Sequence, residues 1–311
     1  MIIKQLNIKD IQRETQPLSV CLGYFDGLHL GHQRLVQQAI QVAEKEGYRS
    51  GLITFKQDPL TVLNPSINKQ QLTTNEDRQQ LGQALGLDYW YELDFNKEVS
   101  QTSPEEFIEK MIIDFGVKHV VVGFDYRFGF KGAGTPEVLK ELSAGRYTVD
   151  VIEPVQYLNE KISSTRIINL IEKGMVEDLP KLLGRYYHLQ GKVGHGRRHG
   201  HKLGYPTANL LINPSYVIPK NGVYIGAVEV DKQWYPAMIS VGHNPTVDRN
   251  LPLTIEAHLL DQKMDLYDRD VKIDFRKYQR EQIAFESMDL LKHKLAQDYQ
   301  ETKEYFSKNP I

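Results

Sequence analysis

Residues 18–32 read Leu18-Ser19-Val20-Cys21-Leu22-Gly23-Tyr24-Phe25-Asp26-Gly27-Leu28-His29-Leu30-Gly31-His32, and this stretch decides the fold of the first half of the chain. It begins as an apolar run of strand length. Directly after it, Leu35, Val36, Ala39, Ile40 and Ala43 recur at helical spacing until Gly47 closes the helix. A strand that turns straight into a helix offers unpaired backbone N–H groups and the positive end of a helix dipole, which together favour a phosphate. Gly23, Gly27 and Gly31 let the backbone approach such a ligand closely. His29 and His32 flank Gly31 and suit donation to one oxyanion. A single histidine in such a loop is more often structural, but two among three glycines at a strand-to-helix turn point to a nucleotide site.

Outward from this turn, short apolar runs at 51–55, 89–93, 119–123 and 147–152 alternate with helical stretches. Ser103-Pro104-Glu105-Glu106 reads as an N-cap, a first-turn proline and a capping-box glutamate, followed by Phe107, Ile108, Met111, Ile112 and Phe115 on one face, with Gly116 as the stop. Thr135-Pro136 opens another helix. Strands alternating with helices predict right-handed crossovers and a doubly wound parallel sheet of the Rossmann-like α/β class, with ligands beyond the carboxyl ends of the strands. After Gly184 the texture changes. Closely spaced Gly, Pro, Asn and Asp separate short strand candidates at 186–193, 222–230, 234–241, 253–260 and 271–275, and only residues 287 to 306 read as a long helix. That pattern predicts an antiparallel barrel or sandwich with one closing helix. The division expected is 1–183 and 184–311, in keeping with roughly 150 residues per domain for a chain of 311.

A hydrophobic fraction of 41% and a charged fraction of 25% exclude disorder, collagen and small disulfide scaffolds. Cys21 is the single cysteine and has no internal partner. The first 14 residues are interrupted by Lys4, Lys9, Asp10 and Arg13, unlike the apolar core of a signal peptide. No apolar run approaches the roughly 18 residues of a membrane span. A cytoplasmic protein that engages no membrane is expected. The net charge is −2, and neither half carries the basic excess of a duplex binder, so no nucleic-acid partner is expected.

A second helix start, Ser163-Ser164-Thr165-Arg166 before Ile167, Ile168, Leu170 and Ile171, offers hydroxyl caps and a guanidinium. Alone it is an N-cap with a solvent-facing arginine; beside another phosphate-binding turn, Arg166 becomes a clamp for a polyphosphate. No Gly-x-x-x-x-Gly-Lys-Ser/Thr occurs, which excludes a P-loop, and the glycines at 129, 132 and 134 read as loop geometry.

Together, residues 23–32, Leu72-Thr73-Thr74, residues 122–129 (Val-Gly-Phe-Asp-Tyr-Arg-Phe-Gly) and Ile162-Ser163-Ser164-Thr165-Arg166 resemble the adenylyltransferase half of the prokaryotic bifunctional riboflavin kinase/FAD synthetase family. The second half is similar to that family's riboflavin kinase module. It carries Gly191-Lys192-Val193-Gly194-His195-Gly196, Gly204-Tyr205-Pro206-Thr207-Ala208-Asn209, Asn221-Gly222-Val223-Tyr224, Val241-Gly242-His243-Asn244-Pro245-Thr246, Glu256-Ala257-His258 and Leu266-Tyr267. The resemblance implies a six-stranded antiparallel β-barrel with a C-terminal helix. It implies ATP as co-substrate, Mg²⁺ as cofactor, and riboflavin, FMN and FAD as the flavins handled. His29, His32 and Arg166 would act on the ATP phosphates in the first half, Gly23, Phe25, Asp26, Gly31, Ser164 and Thr165 would line that nucleotide site, and Phe55, Asp58, Asp125, Phe128 and Arg280 would touch flavin. Gly191, Gly196, Lys202, Pro206, Thr207 and Asn209 would form the kinase nucleotide site.

The residues themselves agree with part of this. Thr207 and Asn209 offer hard oxygen ligands of the kind Mg²⁺ takes beside phosphates, although Pro-Thr-x-Asn is also a common locally hydrogen-bonded turn. Glu256, on a strand whose alternate residues are apolar, suits a general base for a substrate hydroxyl, whereas most strand glutamates simply face solvent. His195, His199 and His201 with Arg197, Arg198 and Lys202 read as a basic loop over nucleotide phosphates, because Gly194, Gly196 and Gly200 break any helix that would align the histidines on a metal.

The chain departs from the family pattern at Gln57-Asp58, His201, Val247, Asp268 and Gln282. None of these removes the base or the metal ligands. A bifunctional enzyme is therefore expected, against two alternatives: one active half, or a non-catalytic flavin or nucleotide sensor. If an arginine normally braces phosphates at 201, His201→Arg is expected to lower the kinase Michaelis constant for ATP at low salt, because a charge-assisted fork holds phosphate better than a mostly neutral imidazole. An unchanged constant would assign that charge to Lys202.

Overall fold

The computed structural model describes residues 1–67, 69–194, 207–242, 253–262 and 264–311. The stretch His195 to Pro206, with Gly196, His201, Lys202 and Pro206, and the motif His243 to Thr246 lie outside them, as does Val247. Contacts divide the chain into two units, Met1–Ser164 and Thr165–Ile311. That boundary precedes the helix Ser164–Glu172 almost entirely, while the expected division at 183/184 assigns that helix to the first half.

The first unit contains β1 (Ile2–Leu6), β2 (Leu18–Leu22), β3 (Arg49–Phe55), β4 (Tyr89–Leu93), β5 (Val117–Gly123) and β6 (Thr148–Ile152). They pair parallel in the order β1-β4-β3-β2-β5-β6, the doubly wound sheet expected. β2 is buried at every residue, as a strand covered on both faces must be. The helix Leu30–Glu46 leaves the turn after β2, buries Leu35, Val36, Ala39 and Ala43, and ends at Gly47 with φ 70°. Ser103 accepts the Glu106 N–H at the start of Pro104–Ile108. The same helix continues as a π segment, Glu109–Asp114, whose wider turns still carry Met111 and Ile112 into the core. Thr135 caps Pro136–Glu141. A hairpin of β7 (Gln156–Tyr157) and β8 (Glu160–Lys161) turns through Leu158 and Asn159, both at positive φ. The sequence reading missed this hairpin and β1.

The second unit is a closed barrel of β9 (Tyr187–Gly194), β10 (Ala208–Ile212), β11 (Gly222–Val230), β12 (Gln233–Gly242), β13 (Thr254–Leu259) and β14 (Asp270–Arg280), ordered β10-β13-β12-β11-β14-β9. Every pairing is antiparallel, so the barrel, not the sandwich, is correct. β11 and β14 slip register at Gly226, where a Cβ would stand 2.1 Å from the Asp274 carbonyl oxygen; only glycine permits that approach. The closing helix, Met288–Lys308, starts at Ser287, whose hydroxyl accepts the Leu290 N–H. Its fully buried Asp298 takes the Arg280 guanidinium through Nε and Nη2, the latter at 2.6 Å. Among the described residues no helix is long and apolar enough to cross a membrane.

A polar chain that runs from buried Ser19 and His119 out to half-exposed Asp150 ties β2, β5 and β6 together. Ser19 Oγ lies 2.9 Å from His119 Nδ1, His119 Nε2 lies 3.2 Å from Asp150 Oδ2, and Gln38 donates to the same oxygen. Burial holds His119 below the ordinary imidazole range, against the pull of Asp150. A folded-state pKa below that of the unfolded chain means that the unfolded state takes up the proton first. Stability is then complete above the ordinary value of 6.5 and falls as the pH drops below it. The urea-unfolding free energy is expected to decrease between about pH 7.5 and 5.5, by at most about 1.4 kcal/mol per pH unit for one proton, and to decrease less in His119→Gln.

Candidate functional site

The strand order of the first unit reverses between β2 and β5, and in open parallel sheets ligands bind where the connections diverge. A cavity of ≈ 250 Å³ opens there, walled by Gly23, Phe25, His29, Gly31, His32 and Ser164, among others. The turn that forms it is strained. Phe25 (φ 59°) and Leu28 (φ 38°) hold left-handed backbone conformations while almost wholly buried, a feature that persists only where the surroundings enforce it. Asp26 supplies much of that enforcement: its carboxylate accepts the backbone N–H groups of Leu72 and Thr73 and the Thr73 hydroxyl. Thr73 Oγ1 in turn accepts the Gly27 N–H at 2.8 Å. Burial raises the Asp26 pKa and these donors oppose the rise.

His29 caps the helix Leu30–Glu46 by accepting the His32 N–H at Nδ1. When neutral, the ring therefore carries its proton on Nε2. The rings of His29 and His32 stack with centroids 3.6 Å apart and 17° between planes, and Phe25 meets His32 edge-on. Burial, then the nearby His29 and Lys161, holds His32 well below the usual imidazole range, and its Nδ1 has no hydrogen-bond partner among the described residues. His32 thus presents a neutral imidazole to whatever enters.

Ser164 donates to the Asp26 carbonyl at 3.1 Å, so the second helix start braces the first turn. Thr165 and Arg166 follow it in the first turn of Ser164–Glu172. Asp125 lines the cavity and pairs with Lys161, which also lines it and lies over the Phe124 ring. Lys161 went unread in the sequence, although a cation two residues before Ser163 was the available signal. Of the other proposed flavin contacts, Phe55 packs edge-on against Phe95 at the end of β3. Asp58 caps Pro59–Leu63 and pairs with Lys69 Nζ at 2.6 Å. Phe128 is 6% exposed, within the hydrophobic core. In the second unit all Arg280 groups are engaged, by Asp298 and by the Glu281 carbonyl.

The barrel brings the three kinase candidates together. Asn209 stands opposite Glu256 across β10 and β13, and Ser240 stands opposite Glu256 across β12. Ile255 and Ala257 are buried while Glu256 is half-buried, so the row Asn209, Glu256 and Ser240 lies on the barrel's outer face. Thr207 donates to Glu256 Oε2 at 3.2 Å. Gln282 donates to Ser240 at 3.4 Å. Thr207 also borders a largely apolar cavity of ≈ 480 Å³ with Leu259, Met264, Leu266 and Tyr267, wide enough for an aromatic ring system. Among the described residues no group of three His, Cys, Asp or Glu side chains is set to hold a metal ion; the oxygen donors here are Thr207, Asn209 and Glu256. Gly191 faces the Leu211 carbonyl, 2.6 Å from where a Cβ would sit, so close strand approach accounts for that glycine.

Residues 11–166 match the family model described as FAD synthetase, and residues 183–306 match that described as riboflavin kinase. The chain is 36% identical to the bifunctional riboflavin kinase/FMN adenylyltransferase of Listeria monocytogenes, over 93% of its own length and 92% of the relative's. It is 35% identical to the protein of that name from Bacillus subtilis, over 95% of both. A solved structure described as a macrolide-efflux protein from Streptococcus pneumoniae superposes with a TM-score of 0.88 at 34% identity, covering 97% of this chain and 99% of that one.

Gly31 tests the histidine pair. A Cβ at 31 would lie 3.0 Å from His29 Cε1, so Gly31→Ala displaces the ring while raising helix propensity by up to about 1 kcal/mol. Calorimetric titration with ATP is expected to show one class of site weakened about tenfold, the worth of one charge-assisted hydrogen bond, without a lower Tm.

Proposed function

The chain belongs to the bifunctional riboflavin kinase/FMN adenylyltransferase family, and from that premise we propose how its residues divide two reactions. The protein phosphorylates riboflavin with ATP to give FMN, and adenylylates FMN with a second ATP to give FAD and pyrophosphate. The observation that carries this reading is that each unit has its own polar cluster beside its own cavity: the stacked histidines in the first, and Thr207 with Glu256 in the second.

The clusters differ as the reactions require. A ribityl hydroxyl must lose its proton as its oxygen attacks the γ-phosphorus and ADP leaves; Glu256 takes that proton. Thr207 orients the carboxylate, and Thr207 and Asn209 would hold Mg²⁺, which would supply neutralisation of phosphate charge. The apolar cavity beside Thr207 takes the planar part of a substrate. FMN already bears an anionic phosphate, so no base is needed when that oxygen attacks the α-phosphorus and pyrophosphate departs. The first unit instead supplies donors and alignment. His29, His32 and Lys161 face the ATP phosphates, Arg166 is the further cation assigned to them from the sequence, and the end of β3 at Phe55 with Asp58 beyond it takes the flavin. A cytoplasmic location suits this reading, because a reducing compartment keeps the buried Cys21 thiol free.

Two variants exchange the phenotypes. Glu256→Gln keeps size and polarity but accepts no proton, and the kinase is expected to fall roughly 10²- to 10⁴-fold while supplied FMN still becomes FAD. His32→Ala is expected to slow FAD formation roughly 10²- to 10³-fold and leave FMN formation intact. Separation of the flavins over time reads both. Equal loss of both activities in either variant argues for unfolding or a shared site, and a parent that binds flavin and ATP without converting either is a sensor.

A further inference from the structure

The first unit buries a guanidinium that no step above uses. Arg78, in the helix Asn75–Ala84, is 1% exposed. Nη1 donates to the Tyr24 carbonyl at 2.7 Å, to Thr54 Oγ1 and to the Phe55 carbonyl; Nη2 donates to the carbonyls of Phe55 and Lys56 and to Asn75 Oδ1. The Tyr24 ring lies 4.5 Å from its Cζ. None of these acceptors is a carboxylate, and among the described residues no ion pair engages Arg78. Burying a cation on neutral carbonyls is costly unless the fork satisfies several at once.

Its acceptors define its role. Tyr24 belongs to the turn after β2 that carries Phe25, Asp26 and His29. Phe55 is the last residue of β3, the neighbouring strand, and Lys56 begins the segment after it. Both segments lie at the carboxyl ends of adjacent parallel strands, where connections otherwise diverge. Thr54 completes the bridge by donating to the same Tyr24 carbonyl at 3.0 Å. We propose that Arg78 is a positioning residue for adenylyl transfer, one fork that fixes the nucleotide turn at Tyr24 relative to the segment at Phe55 and Lys56. The proposal rests on the reading that these segments hold ATP and FMN respectively.

A residue that sets the distance between two bound substrates acts on their mutual alignment, not on the affinity of either. Misplacement by about 1 Å costs on the order of 10²-fold in rate. Arg78→Lys keeps the charge, but one ammonium cannot span the carbonyls of both segments. FMN and ATP at saturation should give a kcat for FAD formation lower by roughly 10- to 100-fold, with each KM within about threefold of the parent and the riboflavin kinase rate unchanged. Thr54→Val removes one hydroxyl and leaves Arg78, and should lower kcat in the same direction by less. Should Arg78→Lys fail to fold, Thr54→Val decides. Parental kcat in folded variants, or KM increases at unchanged kcat, overturns the proposal. A parent that makes no FAD from FMN rejects instead the reading on which it rests.

Discussion

β2 cannot move. It is buried on both faces and hydrogen-bonded on both edges, to β3 and to β5, so its last residue delivers the chain to one fixed point where the connections separate. The stacked histidines and the cavity of the first unit lie at that point. The turn there is held in left-handed conformations at Phe25 and Leu28; its own Asp26 reaches out to Thr73, and Thr73, Arg78 and Ser164, all distant in sequence, grip it in return. The histidines are then carried by a helix that has no freedom to choose its origin.

The barrel solves positioning differently. Closure fixes which residues face inward, and the row Asn209, Glu256 and Ser240 follows from antiparallel register alone. A hydroxyl from just before β10 finishes the cluster. The closing helix is fastened to β14 by Arg280 and Asp298, and farther along by Arg276 between the rings of Tyr186 and Phe306.

The parallel sheet, the barrel and the glycine-rich turn between β2 and the helix that follows it were legible in the sequence because each is set by local requirements: apolar runs of strand length, glycines where backbone must turn or approach, caps at helix starts. Elements that depend on distant partners were not. β10 carries Leu211 at 65% exposure beside inward Leu210, which blurs its alternation. β14 runs on past Phe275 through Arg276, Lys277 and Gln279, polar residues that make poor strand signals until ring and carboxylate partners from elsewhere are known. Arg280, which the resemblance assigns to flavin, is also held by Asp298, 18 positions away and invisible to motif reading. Phe128, assigned likewise, has its ring against Phe107 and Tyr126, neighbours that no motif announces. Arg78 was silent for the same reason, since its acceptors are mostly backbone carbonyls, which every residue has.

The two architectures differ in one further respect. A closed barrel has no unpaired outer strand, whereas the parallel sheet ends in β1 and β6. At β1 the terminal row of N–H and C=O groups is accompanied by Ile2 and Ile3, 55% and 46% exposed, with only Lys4 to discourage a neighbour. Self-association through strand addition would therefore begin at the amino-terminal edge. A charged side chain at position 2 is the economical way to keep concentrated solutions of this protein clear.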